Sequence, residues 1–298
     1  MSLPVVVGVD GSPFAAVAAG WAADEAVRRG ARLHIVHANY WPTVRMPAGH
    51  YPIEFQQPLL EHSKRLLDGA VAEVRRRRPE LTVTSALVTT TAPDLLIAES
   101  EHAQLVVLGA RGLGGFAELL AGSVPIAVAS HAHCPAAVIR GRTTDAPPPT
   151  DGPVVVGVAG SPGGTPALRY AFDAASRLGV PLVALHTWSD VPVDAPRGGP
   201  VWAIDWDQVN DDEQRLLAEQ LAGWQQDYPE VEVQRVVTHD RPVRSLLNAA
   251  EQAQLVVVGS RGRGGFTGIL LGSTSHALIH HCPCPLVVVR DAITTDQQ

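Results

Sequence analysis

The stretch VVVGVDGSP (Val5–Pro13) returns as VVVGVAGSP (Val154–Pro162), with eight of nine letters kept and Asp10 exchanged for Ala159. Each copy reads as a strand apolar on both faces that runs into a glycine turn. The repetition continues along the chain. GARGLGGFAELLAGS (Gly109–Ser123) recurs as GSRGRGGFTGILLGS (Gly259–Ser273), AQLVVLG (Ala103–Gly109) as AQLVVVG (Ala253–Gly259), and CPAAVIR (Cys134–Arg140) as CPLVVVR (Cys284–Arg290), each 150 residues on. VHA (Val36–Ala38) and LHT (Leu185–Thr187) correspond at 149. Repetition over this length means two domains of ordinary size. They are expected at residues 1–141 and 153–292, joined by a Pro/Thr/Asp/Gly-rich linker at 142–152 and followed by a tail at 293–298.

In the first copy the apolar runs PVVVGV, ARLHIVHA, LTVTSALV, AQLVVLG and PAAVIR alternate with helical patterns. Strands that alternate with helices build a parallel sheet with right-handed crossovers. The expected fold class is α/β: two doubly wound, five-stranded parallel-sheet domains in tandem, Rossmann-like, with strand order 3-2-1-4-5. Two long connections stand out, NYWPTVRMPAGHYPIE (Asn39–Glu54) and WSDVPVDAPRGGPVWAID (Trp188–Asp205). Each reads either as a lid or interface or as a passive surface excursion.

Hydrophobic residues at 46% and charged ones at 18% belong to a folded globular chain. The net charge of −7 argues against a phosphate-backbone binder. It all lies in residues 151–298, with 10 Lys+Arg against 17 Asp+Glu, because residues 1–150 hold 13 of each. The run RRRRP (Arg75–Pro79) reads as a solvated helix end, where cations meet the negative pole of the helix dipole, with an anion contact as the other reading. Three cysteines make no disulfide framework. HAHC (His131–Cys134) and HHCPC (His280–Cys284) raise the idea of zinc, but a short turn with a small buried cysteine explains each, and no metal site is expected. No apolar run approaches the roughly 20 residues that span a bilayer, and the N-terminus has no basic leader. A cytoplasmic protein with neither membrane nor nucleic-acid partner is expected.

Ligands of open parallel sheets bind beyond the carboxyl ends of the strands, where strand order reverses. In the order 3-2-1-4-5 that point lies between strands one and four, and both end in glycines. The first supplies Gly8, Asp10, Gly11 and Ser12, and its second copy Gly157 and Ala159. The fourth supplies Gly109, Ala110, Arg111, Gly112, Leu113, Gly114 and Gly115, and its second copy Gly259, Ser260, Arg261, Gly262, Arg263, Gly264 and Gly265. These glycines permit positive φ and close backbone approach, and successive N–H groups can form an anion nest. Gly122, Ser123 and Val124, matched by Gly272, Ser273 and Thr274, open the last helix of each copy, whose N–H groups would face the same anion. Arg111 and Arg261 either add charge or are simply solvated. Asp10 would accept hydrogen bonds from a ribose or an adenine amino group; the plainer alternative is that it stabilises its own turn.

Gly109, Gly112, Gly122 and Ser123 follow the pattern Gly, two residues, Gly, nine residues, Gly, then Ser or Thr, and Gly259, Gly262, Gly272 and Ser273 repeat it. In this the chain resembles a tandem universal stress protein of the ATP-binding type. The resemblance implies ATP as ligand, with Mg²⁺ as its usual companion. It implies that Asp10 contacts the nucleoside and that the strand ends at Ala38 and Thr187 frame adenine through the backbone. It also implies dimerisation through the last strands, either as a homodimer or as a pseudo-dimer within one chain. Ala159 departs from the pattern, so the second site is expected to hold a nucleoside less tightly, by about 1–3 kcal/mol. No GxxxxGK[ST] loop occurs, neither glycine-rich segment holds a lysine, and Asp10 is the single acidic candidate in the first crevice. A nucleotide-dependent stress-response regulator or sensor with an unknown protein partner is therefore preferred over the alternative, a slow ATPase or nucleotide-dependent transferase.

Overall fold

The computed structural model describes residues 2–39, 53–112, 122–142, 146–160, 164–188, 206–262 and 270–290. Both long connections, over 40–52 and 189–205, and the segments 113–121 and 263–269 lie outside the described residues. The chain divides into two compact units, Met1–Pro148 and Pro149–Gln298.

The first unit runs β1 (Val5–Gly8), α1 (Pro13–Arg28), β2 (Leu33–Ala38), α2 (Ile53–Arg77), β3 (Val83–Val88), α3 (Ala92–Ser100), β4 (Leu105–Gly109), α4 (Ser123–His131) and β5 (Ala136–Ile139). Its strands pair in parallel in the order β3-β2-β1-β4-β5, the one expected. Val5, Val6 and Val7 of β1 and Leu105, Val106 and Val107 of β4 are completely buried, which is why these strands carry no polar alternation. Ser12 caps α1 by accepting a hydrogen bond from the Ala15 N–H (3.1 Å), and Pro13 follows at the first helical position. Ala15, Ala18, Ala19, Ala22, Ala23 and Ala26 form the buried face of α1. Their small side chains let the helix lie close on the sheet. α3 is capped by Thr91, which accepts from the Asp94 N–H while its hydroxyl donates to the Asp94 carboxylate (2.6 Å).

The second unit runs β6 (Val154–Val158), α5 (Thr165–Leu178), β7 (Leu182–Trp188), α6 (Trp206–Leu221), α7 (Trp224–Asp227), β8 (Val233–His239), α8 (Pro242–Ala250), β9 (Leu255–Gly259), α9 (Ser273–His281) and β10 (Leu286–Val289). Its parallel order is β8-β7-β6-β9-β10, the same winding as the first. The packing is not the same. α5 carries Phe172, fully buried and stacked on Trp224 (5.4 Å between centroids, 9° between planes) and on Tyr228 (5.4 Å, 28°). The Tyr228 hydroxyl donates to Asp173 (2.5 Å), and that bond, helped by burial and the carboxylate charge, pushes the phenol up to about 12. Among the described residues no helix is long and apolar enough to cross a membrane.

Candidate functional site

The carboxyl end of β1 is shaped by a glycine that no other residue replaces easily. Gly11 has φ +86°, and a Cβ there would come within 2.6 Å of Leu66 Cδ1 on α2. The turn puts Asp10 at the head of the strand. Asp10 Oδ1 accepts the Ser12 N–H (2.9 Å), so the carboxylate does hold its own turn. Its other oxygen, Oδ2, lies directly against Gly112, inside the space a Cβ would need. The end of strand one and the glycine-rich segment after strand four therefore meet across one crevice.

The crevice encloses about 550 Å³ of empty space, counting its open mouth. Gly8, Asp10, Ala38, Gly109, Arg111, Gly112, Gly122 and Val124, all singled out from the sequence, are among its lining residues. Gly11, Ser12, Ala110 and Ser123 belong to the same segments but are not among them. The Ser12 hydroxyl is engaged as the α1 cap, and Ala110 is buried, its N–H bonded to the Ile139 carbonyl (3.1 Å). Leu113, Gly114 and Gly115 lie outside the described residues. The sequence reading missed the apolar wall: Val9, Val36, Ala92, Leu95, Leu96, Leu108 and Pro125. Its signal was the pair Leu95–Leu96 opening α3, the helix that follows β3. Leu96 sits 3.1 Å from the Cβ position of Gly8, which accounts for that glycine.

One expectation needs correction. None of the described glycines of either segment after strand four takes positive φ. Close approach is what they serve. A Cβ on Gly109 would lie 2.9 Å from the backbone carbon and oxygen of Phe14, so this glycine seats β4 against the start of α1. The segment returns through the Gly122 N–H, which bonds the Ala110 carbonyl (3.2 Å), and Gly122 then starts α4 with no side-chain cap. The N–H groups of Ser123 and Val124 have no partner within the helix, and Pro125 has no N–H at all. The Arg111 guanidinium lies over the Phe14 ring, 5.8 Å from its centroid. Among the described lining residues Asp10 is the one carboxylate.

The second unit repeats the frame with different contents. β6 ends at Gly157 and Val158, and Ala159 stands in the place of Asp10 before Gly160. Among the described residues a Cβ on Gly262 would meet nothing within 4 Å, where Gly112 meets a carboxylate. Ser260 is buried, its N–H bonded to the Val289 carbonyl (2.8 Å), and the Gly272 N–H returns to the Ser260 carbonyl (2.7 Å). Gly259 is contacted by the Arg261 carbonyl (3.2 Å from the Cβ position) and by the Ser275 hydroxyl, which donates to the Gly259 carbonyl (2.7 Å). Ser273 and Thr274 open α9, and Thr187 lies beside Thr238 near the end of β7. Arg263, Gly264 and Gly265 lie outside the described residues. Burial, with the nearby charge of Arg261, holds the Arg290 guanidinium below its ordinary value.

A histidine supports strand one in both units. His37 Nδ1 donates to the Val9 carbonyl (2.6 Å) and His186 Nδ1 to the Val158 carbonyl (2.7 Å). In the second unit His186 is fully buried and its Nε2 also meets Glu213 (2.7 Å). The cysteines lie at the last turns. Burial pushes the Cys134 thiol up to about 12, and Cys282 and Cys284 are buried with their sulfurs 3.7 Å apart. Among the described residues no three His, Cys, Asp or Glu side chains form a group that could hold a metal ion.

The universal stress protein family model matches residues 1–140 and 152–290, one match in each unit. The chain belongs to the universal stress protein family. It is 42% identical over 301 residues to universal stress protein Rv2623 of Mycobacterium tuberculosis, covering 98% of each chain. Among solved structures it is similar to a universal stress protein from Archaeoglobus fulgidus, with a TM-score of 0.67 and 18% identity, over 96% of this chain and 98% of that one. A universal stress protein from Archaeoglobus fulgidus solved in complex with dAMP covers 47% of this chain, and 98% of its own length is matched, at 26% identity and a TM-score of 0.35. The tandem arrangement of this universal stress protein thus extends over the whole length of its curated relative.

Proposed function

We propose that this universal stress protein is an adenine-nucleotide-binding regulator whose first unit takes ATP. One observation carries the reading: the Asp10 carboxylate, the glycines of β4 and the start of α4 converge on one crevice. Its chemistry is divided as a nucleotide requires. Val36, Ala38, Leu95 and Leu96 give an apolar wall for a planar base. Asp10 supplies an acceptor for ribose hydroxyls or an amino group. Gly112, Gly122 and the first N–H groups of α4 supply donors for phosphates, with Arg111 at the lip. Mg²⁺ would arrive with the ATP. A regulator fits better than a fast enzyme, because the described lining residues include one carboxylate and no lysine to position a nucleophile or stabilise a departing phosphate. Association into a homodimer or pseudo-dimer belongs to the same reading on the family resemblance. The test is the amount of nucleotide released per chain when the purified protein is denatured, followed by titration with ATP. An empty protein that fails to bind ATP would refute the reading, and turnover above about 1 s⁻¹ would replace it with an enzyme.

A further inference from the structure

We propose that His276 and His280 on α9 form a chelating site for a divalent transition metal ion, copper(II) in preference to nickel(II) or zinc(II). The site is independent of the nucleotide reading and lies on the last helix of the second unit.

α9 runs from Ser273 to His281, and the two histidines stand four residues apart, one turn along the same face. Their ring centroids are 4.9 Å apart and their planes are tilted by 48°. Nitrogen–metal bonds of about 2.0–2.1 Å from each ring to one ion span such a gap without unwinding the helix. His276 is exposed and His280 half-buried, so an ion reaches the pair from solvent. The helix fixes their spacing. The His276 N–H bonds the Gly272 carbonyl (2.9 Å), which ties down the first turn, and Leu278 and Ile279 anchor the helix through their buried side chains. Two ligands held together in advance lose little freedom when the ion arrives.

The sequence points to different donors. In HHCPC the cysteines follow the histidines directly, but Cys282 and Cys284 are buried, and the ring nearest His280 is His276, one turn back. His281 lies farther from His280, 6.1 Å between centroids. Two imidazoles fall short of the four protein ligands of a structural zinc site, so water completes the shell and the ion exchanges freely. Imidazole suits copper(II), the tightest binder of the divalent first-row series. The first unit lacks the pair, because Ile126 and Ser130 hold the matching positions of α4. Among the described helices α9 is the one with histidines four residues apart. The ion clips two turns of the folded helix and has no such partner in the extended chain, so it stabilises the second unit.

The test titrates the whole chain with copper(II) sulfate, with free imidazole present to compete for isolated histidines. Calorimetry, electron paramagnetic resonance and thermal unfolding read the result. One copper(II) per chain is expected, bound by two imidazole nitrogens and raising the thermal midpoint. His276→Ala should weaken binding about tenfold or more, because the second ligand of a chelate acts at a high effective concentration. It should also leave a single imidazole nitrogen on the copper and abolish the rise in midpoint. His276 is exposed, so its variant keeps the test valid if His280→Ala disturbs the packing of α9. His281→Ala and His62→Ala, exposed histidines outside the pair, should change none of these readings. Nickel(II) and zinc(II) should bind at the same place more weakly. No copper retained, retention unaltered in His276→Ala, or a signal lost in His281→Ala instead would overturn the inference.

Discussion

Gly112→Ala tests the first crevice at its tightest point. The new Cβ would fall inside the space held by Asp10 Oδ2. The carboxylate cannot simply turn away, because its Oδ1 accepts the Ser12 N–H at 2.9 Å, a bond worth about 0.5–1.5 kcal/mol. Either that bond breaks or Gly112 retreats, and both separate the aspartate from the phosphate-binding segment. The loss at the ligand is one hydrogen bond to a charged group, about 1.5–3 kcal/mol, or roughly 10- to 100-fold in ATP affinity. The backbone itself should tolerate alanine, because Gly112 does not take positive φ. Gly262→Ala is the internal control: its Cβ meets nothing within 4 Å among the described residues, so binding should change by less than about twofold. The assay is calorimetric titration of the intact chain with ATP, with circular dichroism to confirm the fold. Because Gly112→Ala acts through Asp10, the double variant with Asp10→Ala should bind no worse than Asp10→Ala alone. Full additivity, or an unaltered affinity in Gly112→Ala, would refute the reasoning.

Gly109→Ala should act on stability instead. Its Cβ would press on the Phe14 backbone at 2.9 Å, a neighbour that cannot rotate away, and overpacking of this kind costs about 1–3 kcal/mol in a urea denaturation. A midpoint unmoved from the parent would show that β4 and α1 can separate freely. Tyr228 should make the second unit sensitive to alkali. Its folded value is raised to about 12 from 10.0, so the stability it contributes is complete below pH 10 and lost as the pH rises through 12. The difference in thermal midpoint between the parent and Tyr228→Phe should therefore shrink over that interval; a constant difference would refute the assignment. Cys134, with its thiol pushed up to about 12 by burial, should resist iodoacetamide at pH 8 in the folded chain and react once unfolded, as mass spectrometry would show. Rapid modification of the native protein would contradict its burial.

Most of the fold was legible because its cues are local and written twice. Strands apolar on both faces, their alternation with helical patterns and glycines at matched offsets were enough to give the winding. What stayed hidden depends on contacts distant in sequence. Gly109 looks like a phosphate-binding glycine, yet its neighbour is the backbone of Phe14, 95 positions away in the chain. Ser12 looks like a ligand donor, but the first turn of α1 takes its oxygen. Leu95 and Leu96 look like ordinary helix core, and only the crossover after β3 brings them to the crevice wall. The stack of Phe172, Trp224 and Tyr228 has no counterpart in the first copy, so comparing the repeats could not reveal it.

The two readings of Asp10, turn residue and ligand contact, are not rivals. One oxygen holds the Ser12 N–H and fixes the carboxylate's direction; the other is thereby delivered to the edge of the glycine-rich segment. A carboxylate bound at one oxygen has lost its rotamer entropy before any ligand arrives, which is the condition for a contact to contribute its full strength. This also explains what the exchange for Ala159 removes. Gly160 keeps the left-handed turn at φ +67° and His186 still donates to the Val158 carbonyl, but α5 opens at Thr165 behind Gly164, later than the start of α1 at Pro13 would place it, and without a serine cap. The second unit therefore lacks both the charge and the capped helix start that fixes its direction in the first. Ala159→Asp alone should then restore less ATP affinity at the second unit than Asp10→Ala removes at the first; equal and opposite changes in a calorimetric titration would refute this.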